Sequence, residues 1–201
     1  MIELPVDLPA DLVPLSWLIG VWEGTGVIDY TAGDTHFEGE FTHRVSFSHD
    51  GGDWLNYSAT AYLAGADGAE ATQLLSAVGF WRLARKRTDA DAGPALLPPA
   101  VPGAQRTVED VEALRNAAEG FDIEVALVRA DGVSELYIGQ IKGPRVDLAS
   151  DAIVRPATAR EYGRAERIYG LVDGHLLWAW DIEALGGEFG SHASARLAKA
   201  E

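Results

Sequence analysis

The feature that most constrains the fold is a succession of nine short segments in which apolar and polar residues alternate. Turn signals separate them, such as "HDGGD" at 49–53, "GADG" at 65–68 and "VDG" at 172–174. Period-two alternation is typical of half-buried strands, and Asp-Gly pairs favour tight hairpins. The nine predicted strands are Val21–Tyr30, His36–Ser48, Trp54–Leu63, Thr72–Leu83, Phe121–Arg129, Ser134–Ile141, Arg145–Ser150, Arg160–Val172 and His175–Ile182.

This pattern predicts an all-β fold: a ten-stranded antiparallel up-and-down β-barrel, lipocalin-like or fatty-acid-binding-protein-like, with short helices. We expect one domain over residues 1–201. A barrel of this size encloses a cavity. Alternate residues of 41–47 share one face, and so do those of 176–180, which predicts the sides that point inward.

The motif "GVWEGTG" at 20–26 opens the first predicted strand. Glycine inside a strand marks a sharp bend or a close backbone approach. We therefore interpret Gly20, Gly24 and Gly26 as bending points of a strand that curls to close the barrel, with Trp22 filling one end. The alternative is that the glycines simply occupy a twisted strand.

Two stretches depart from the strand pattern. Pro14–Ile19 favours one turn of helix before the first strand. Residues 84–119 combine a basic start, a Pro/Gly/Ala tract and a helical spacing of Val108, Val111 and Leu114, so we interpret them as an inserted, partly disordered loop with one short helix.

Composition excludes several classes of function. The net charge of −15 disfavours nucleic acid and anionic membranes as partners. The chain has no cysteine, which excludes disulfides and thiolate chemistry. We find neither a secretory signal nor an apolar run long enough to span a membrane, so the cytoplasm is the expected location.

The glycine–tryptophan motif resembles the opening of the nitrobindin family. These proteins are haem-binding, fatty-acid-binding-protein-like barrels that are also described as peroxynitrite isomerases. "VSFSHDGGDWLNYSATAYL" at 45–63 and "GFWRL" at 79–83 are similar to the family as well. So is "TAREYGRAERIYGLVDGHLLWAWDIEALGGEFGSHASARL" at 158–197, which aligns without a gap.

The resemblance implies one haem b per chain, with iron ligated by His192. It also implies binding of nitric oxide and isomerisation of peroxynitrite to nitrate at ferric iron, with no catalytic side chain from the protein. From the residues, we expect Ser191 to cap a short helix over "HASARLAK", with Ala193, Leu197 and Ala198 packed inward. The helix dipole would keep an imidazole in the first turn neutral.

Other residues are candidates for the pocket. Thr31 and Leu75 would line it, and Arg164 would meet a haem propionate. The other candidate walls are Leu74, Phe80, Trp178 and Trp180, and the other candidate cations are Arg160 and Arg167. The three arginines could instead point outward and pair with Glu161 or Glu166. The "TQLLSAVGF" stretch makes the distal side more apolar than is usual in the family.

The remaining histidines have simpler interpretations. His43 shares an apolar face, so we expect a buried imidazole bonded to a neighbour rather than a second iron ligand. His49 and His175 lie in turn sequences and are expected to be exposed, and His36 is uninformative.

Two alternatives remain open. The barrel could carry a fatty acid or another apolar molecule without catalysis, with Arg164 or Arg167 holding its carboxylate. It could also store or sense haem, using the 84–119 insertion for partner contacts. Whatever the ligand, exposed hydrophobic strands could pair two barrels, so we also expect a homodimer.

Overall fold

Ten antiparallel strands close into a barrel in the computed structural model, which describes residues 8–63, 71–103 and 106–200. Each strand pairs with its neighbours along the chain, and the first pairs with the last. The predicted fold is confirmed; the turn predicted at 65–68 lies outside the described residues. The strands are β1 Gly20–Ala32, β2 Thr35–Ser48, β3 Trp54–Leu63, β4 Thr72–Leu83, β5 Phe121–Arg129, β6 Ser134–Lys142, β7 Arg145–Val154, β8 Tyr162–Val172, β9 His175–Ala184 and β10 Gly190–Lys199.

The segment predicted as a C-terminal helix is strand β10, so that prediction was wrong. Ala193, Ala195 and Leu197 are buried in alternation, whereas Ala198 is exposed and Ser191 caps nothing. Alanine and serine have little preference for strands, but β10 pairs with both β1 and β9. Closing the barrel therefore overrides local propensity.

The glycines of β1 permit the close approach that closes the barrel. A Cβ added at Gly24 would lie less than 2.5 Å from the carbonyl oxygen of Arg196 on β10, and one at Gly26 would lie 2.8 Å from the Cβ of Ala195. Gly20 has a φ of +132°, a conformation that favours glycine. Both the bend and the close approach are therefore present.

A 3₁₀ helix, Ala10–Leu18, packs at the end of the barrel where β1 begins. Leu12, Leu15 and Leu18 are fully buried there. Trp22 is also buried, and its Nε1 donates a hydrogen bond of 2.7 Å to the carbonyl oxygen of Leu18. The helix is longer than the predicted single turn, and together with Trp22 it occupies this end of the barrel.

The 84–119 segment lies between β4 and β5 and contains the predicted short helix, α1 Val108–Glu112. Thr107 caps it in a box with Asp110. Val111 is buried, but Val108 is exposed, because one turn of helix gives a single inward side chain. None of the helices among the described residues combines the length and the apolar character that a bilayer crossing requires.

Candidate functional site

A cavity of about 260 Å³ lies at the end of the barrel opposite the 3₁₀ helix. One part of its wall is apolar and comes from β4, β9 and β10, while charged residues of β5 and of the approach to β8 lie at the rim. The apolar wall includes Leu74, Leu75, Trp178, Trp180 and Ala193, and the polar lining includes Tyr30, Arg129, Asp131, Arg160 and Tyr162. Apolar walls with a few polar groups are typical of ligand-binding cavities.

His192 reaches this cavity because of a β-bulge. The register between β9 and β10 shifts between Ser191, which pairs with Asp181, and Ala193, which pairs with Trp180. The inward positions of β10 are 193, 195 and 197, so strict alternation would turn residue 192 outward. The bulge allows His192 and Ala193 both to line the cavity.

The environment of His192 keeps its imidazole neutral. Burial, together with the positive charge of Arg129, lowers the pKa of His192 to about 4. The ring packs against Tyr30 at 4.2 Å and meets the edge of Trp180 at 5.4 Å. Its Nδ1 is buried without a hydrogen-bond partner among the described residues, so Nε2 is the nitrogen that we expect to meet a ligand. Neutral imidazole is the form that ligates iron.

The structure brings some predicted site residues to the cavity and leaves others away from it. Leu75 is buried in the wall, and Leu74 also lines the cavity. Thr31 lines a smaller adjoining cavity of about 90 Å³ instead, and its hydroxyl lies 3.4 Å from Nδ1 of His36. Phe80 is 54% exposed on the outer surface, so its prediction as a wall was wrong.

The arginines differ most from the prediction. Arg164 lines neither cavity: it pairs with Glu166 at 2.5 Å and lies over the ring of Phe189. This is the outward alternative, and it arises because Arg164 lies on the outer face of β8. Arg160 does line the main cavity.

Arg167 faces the barrel interior instead of its mouth. It is fully buried with Glu135, at 3.1 Å, and its Nε donates to the hydroxyl of Tyr137. Tyr162 also donates to Glu135. This paired, hydrogen-bonded charge is part of the packed interior.

Arg129 is one of the cavity residues that sequence reasoning missed, together with Tyr30, Asp131 and Tyr162. It ends β5, bonds Asp131 at 2.9 Å and holds its guanidinium 5.4 Å from the ring centre of Tyr162 and 5.8 Å from that of Trp180. Its position depends on barrel closure, which brings β5 across from β9 and β10. The only sequence signal is its place at the end of a strand, before the "ADG" turn at 130–132.

The other histidines do not line the main cavity. His43 is buried, its Nδ1 donates to the carbonyl oxygen of Thr60 at 3.0 Å, and burial lowers its pKa to about 4. This bonded, buried state is the one expected. His49 and His175 are half-buried rather than exposed, and His36 is exposed.

A larger open groove, of about 1510 Å³, lies outside the barrel between the 3₁₀ helix and the 84–119 segment. Two of its arginines are held in ion pairs: Arg85 pairs with Asp53 and Asp91, and Arg106 pairs with Asp11. The groove contains none of the predicted site residues. The cavity at His192 is the candidate site.

Together, the fold and the site define a ligand-binding β-barrel that presents a neutral imidazole inside an apolar cavity. Residues 11–199 match the model of the family described as "THAP4-like, heme-binding beta-barrel domain". The chain belongs to this family, and the resemblance to nitrobindins is confirmed.

Relatives agree with this assignment, and a solved structure shares the fold. The chain is 60% identical over 201 residues to a protein of Leifsonia xyli subsp. xyli named peroxynitrite isomerase, and the match covers 100% of both. It is 55% identical to a protein of the same name from Clavibacter michiganensis subsp. michiganensis, over 98% of each. The crystal structure of Rv2717c from M. tuberculosis has the same fold, with a TM-score of 0.66 at 23% identity, over 99% of this chain and 100% of that one.

The residues at the cavity fit haem. A histidine that ligates haem iron must be neutral, and His192 is neutral, with an Nδ1 that has no hydrogen-bond partner among the described residues. The porphyrin needs apolar walls, which Trp178, Trp180 and Leu75 supply. Arg129 and Arg160 are cations at the rim, where carboxylates of a bound porphyrin would require partners.

Proposed function

We propose that the protein binds one haem b per chain through His192 and isomerises peroxynitrite to nitrate at ferric iron. The observation that best supports this proposal is the β-bulge in β10. It directs the side chain of His192, a neutral imidazole whose Nδ1 has no partner among the described residues, toward the mostly apolar cavity. The curated relatives named peroxynitrite isomerase support the reaction. Reversible binding of nitric oxide at the same iron is part of the proposal.

In this proposal the chain binds and encloses the haem. The bound haem would supply the iron at which peroxynitrite rearranges. His192 would ligate the iron. Trp178, Trp180 and Leu75 exclude water from the cavity. Arg129 and Arg160 would hold the propionates, in the role that the sequence assigned to Arg164. Leu74 and Leu75 have no hydrogen-bonding side-chain groups, so these residues supply no proton.

The yield of nitrate tests the reaction. Haem-loaded wild-type protein should accelerate peroxynitrite decay in stopped flow and raise the ratio of nitrate to nitrite above that of buffer and of free haem. His192→Ala at the same haem concentration should lose this gain. A wild-type product ratio equal to that of free haem would contradict isomerisation, even if haem binds.

The carrier alternative predicts the opposite preference. Its support is the mostly apolar cavity with arginines at the rim, which would suit a fatty acid. A fluorescent fatty acid would then bind apo-protein tightly, and haemin would not compete with it. Competition by haemin, lost in His192→Ala, would favour the haem protein.

We also propose that a second copy of the chain is a partner, at an apolar patch on the outer face of β4, β5 and β6. The patch consists of Val78, Phe80, Val128, Leu136 and Ile138, and Val78 and Val128 are paired across the strands. These side chains are 41–56% exposed. The chain carries a net charge of −15, so two copies approach most easily through a face without charge.

Sedimentation tests the dimer. Wild-type protein should sediment as a dimer, and Phe80→Glu should shift it to the monomer. Leu177→Glu, on the outer face of β9, is the matched control and should leave the dimer intact. A monomeric wild type would contradict this proposal.

The acidic charge disfavours nucleic acid and membrane partners, and the lack of cysteine supports a cytoplasmic location.

A further inference from the structure

Four rings from four neighbouring strands form a column that includes His192. The aromatic column consists of Phe37 on β2, Tyr30 on β1, His192 on β10 and Trp180 on β9. Phe37 stacks on Tyr30 at 4.9 Å with an interplanar angle of 16°, and the two residues are cross-strand partners. Tyr30 packs on His192 at 4.2 Å, and Trp180 meets His192 edge-on at 84°. His192 therefore contacts one ring from each of the two strands that flank β10.

Hydrogen bonding does not orient this imidazole. A histidine that ligates a metal usually donates its second ring N–H to a carboxylate, a carbonyl or water, which fixes the ring plane. Nδ1 of His192 has no such partner among the described residues. It is also buried, so water does not reach it in this conformation. Packing is the remaining force that fixes the ring.

Tyr30 is placed to supply that packing. Tyr30 and His192 both line the main cavity and the smaller cavity of about 90 Å³, so they form part of the wall between the two. Without the Tyr30 ring, the two spaces would merge beside the imidazole. His192 would then gain room to turn and to expose Nδ1 to water.

We propose that Tyr30 is a positioning residue that fixes the ring plane of His192 by aromatic packing, in place of the hydrogen bond that usually orients an axial histidine. The proposal rests on the proposed function, because the orientation matters only if Nε2 meets iron. The ring, not the hydroxyl, performs this role. Tyr30→Phe therefore keeps the packing, and Tyr30→Leu removes it.

The orientation of His192 can be measured without haem. In apo-protein, NMR of the His192 ring protons should show one ordered conformation, shifted by the ring current of Tyr30, in wild type and in Tyr30→Phe. Tyr30→Leu should lose the shift and broaden or split the resonances. Tyr62→Leu, on the outer side of β3, is the matched control and should match wild type. An unchanged His192 spectrum in Tyr30→Leu would overturn the proposal.

Haem-loaded protein gives the second readout. Haem should dissociate about 3- to 10-fold faster from Tyr30→Leu than from wild type, since an aromatic pair contributes on this scale. The iron–histidine stretching band in resonance Raman should shift in Tyr30→Leu and stay in place in Tyr30→Phe. Equal loss in both variants would assign the role to the hydroxyl and contradict the proposal. Failure of wild type to bind haem would refute the proposed function, while the apo spectrum still decides the ring packing.

Discussion

The substitution Gly24→Ala tests the junction at which the barrel closes. A Cβ at residue 24 would lie less than 2.5 Å from the carbonyl oxygen of Arg196, whereas real Cβ atoms essentially never approach within 3.0 Å. Its three nearest neighbours are backbone atoms of Arg196 and Leu197, so no side chain can rotate away. Strands β1 and β10 would have to separate by at least about 0.5 Å, the difference between these two distances. Overpacking of this kind costs about 1–3 kcal/mol.

Gly163→Ala is the matched control. It lies in β8, and the nearest atom to an added Cβ is 3.9 Å away. Alanine there should stabilise the protein by about 0.5 kcal/mol, because it reduces the freedom of the unfolded chain. Urea unfolding of the apo-proteins measures both changes. Equal stabilities for the two variants would refute the close approach. Because β10 carries His192, Gly24→Ala should also weaken haem binding, whereas Gly163→Ala should not.

Burial lowers the pKa of His43 to about 4, so between pH 6.5 and 4 the unfolded chain takes up a proton that the native protein does not. His43 should therefore contribute about 3 kcal/mol to the fall in the free energy of unfolding through this window, beside a similar contribution from His192. His43→Asn should remove the His43 contribution, as urea unfolding at several pH values measures. Arg129→Gln should speed haem transfer to a scavenger protein at least about tenfold, while Arg164→Gln leaves the rate unchanged. Equal effects of the two substitutions would refute the proposal that Arg129, rather than Arg164, holds a propionate. Glu135→Leu leaves Arg167 buried without its charge partner and should cost about 3–5 kcal/mol in chemical unfolding; adding Arg167→Met should recover most of this loss, and an additive loss would contradict the pairing.

The nine strands could be predicted from the sequence because alternation and turn residues are local signals. β10 could not, because its alanines and serines carry no strand preference and its two partners are distant in sequence. Alternate residues of a strand face opposite sides, and the prediction of Phe80 as a cavity wall did not use this rule. Trp81 and Leu83 face inward on β4, so Phe80 must face outward.

The site was predictable only in part. The family resemblance predicted His192 as the iron ligand, but no local sequence pattern predicts the β-bulge that turns its side chain inward. A bulge is a mismatch between two strands, and it becomes visible only when β9 and β10 are paired. Arg129 reaches the cavity through barrel closure, and Arg164 fails to reach it because of its parity on β8. Placements of this kind depend on register, which a single sequence does not determine.

The most direct test of the central claim is a haemin titration of apo-protein followed by absorption. Wild type should bind one haem per chain and develop a sharp Soret band, and His192→Ala should lose the histidine-ligated spectrum and most of its affinity. His175→Ala is the control, because His175 pairs with Ala198, six residues further along β10 and about 20 Å away. An unchanged spectrum and affinity in His192→Ala would contradict the claim that this imidazole holds the iron.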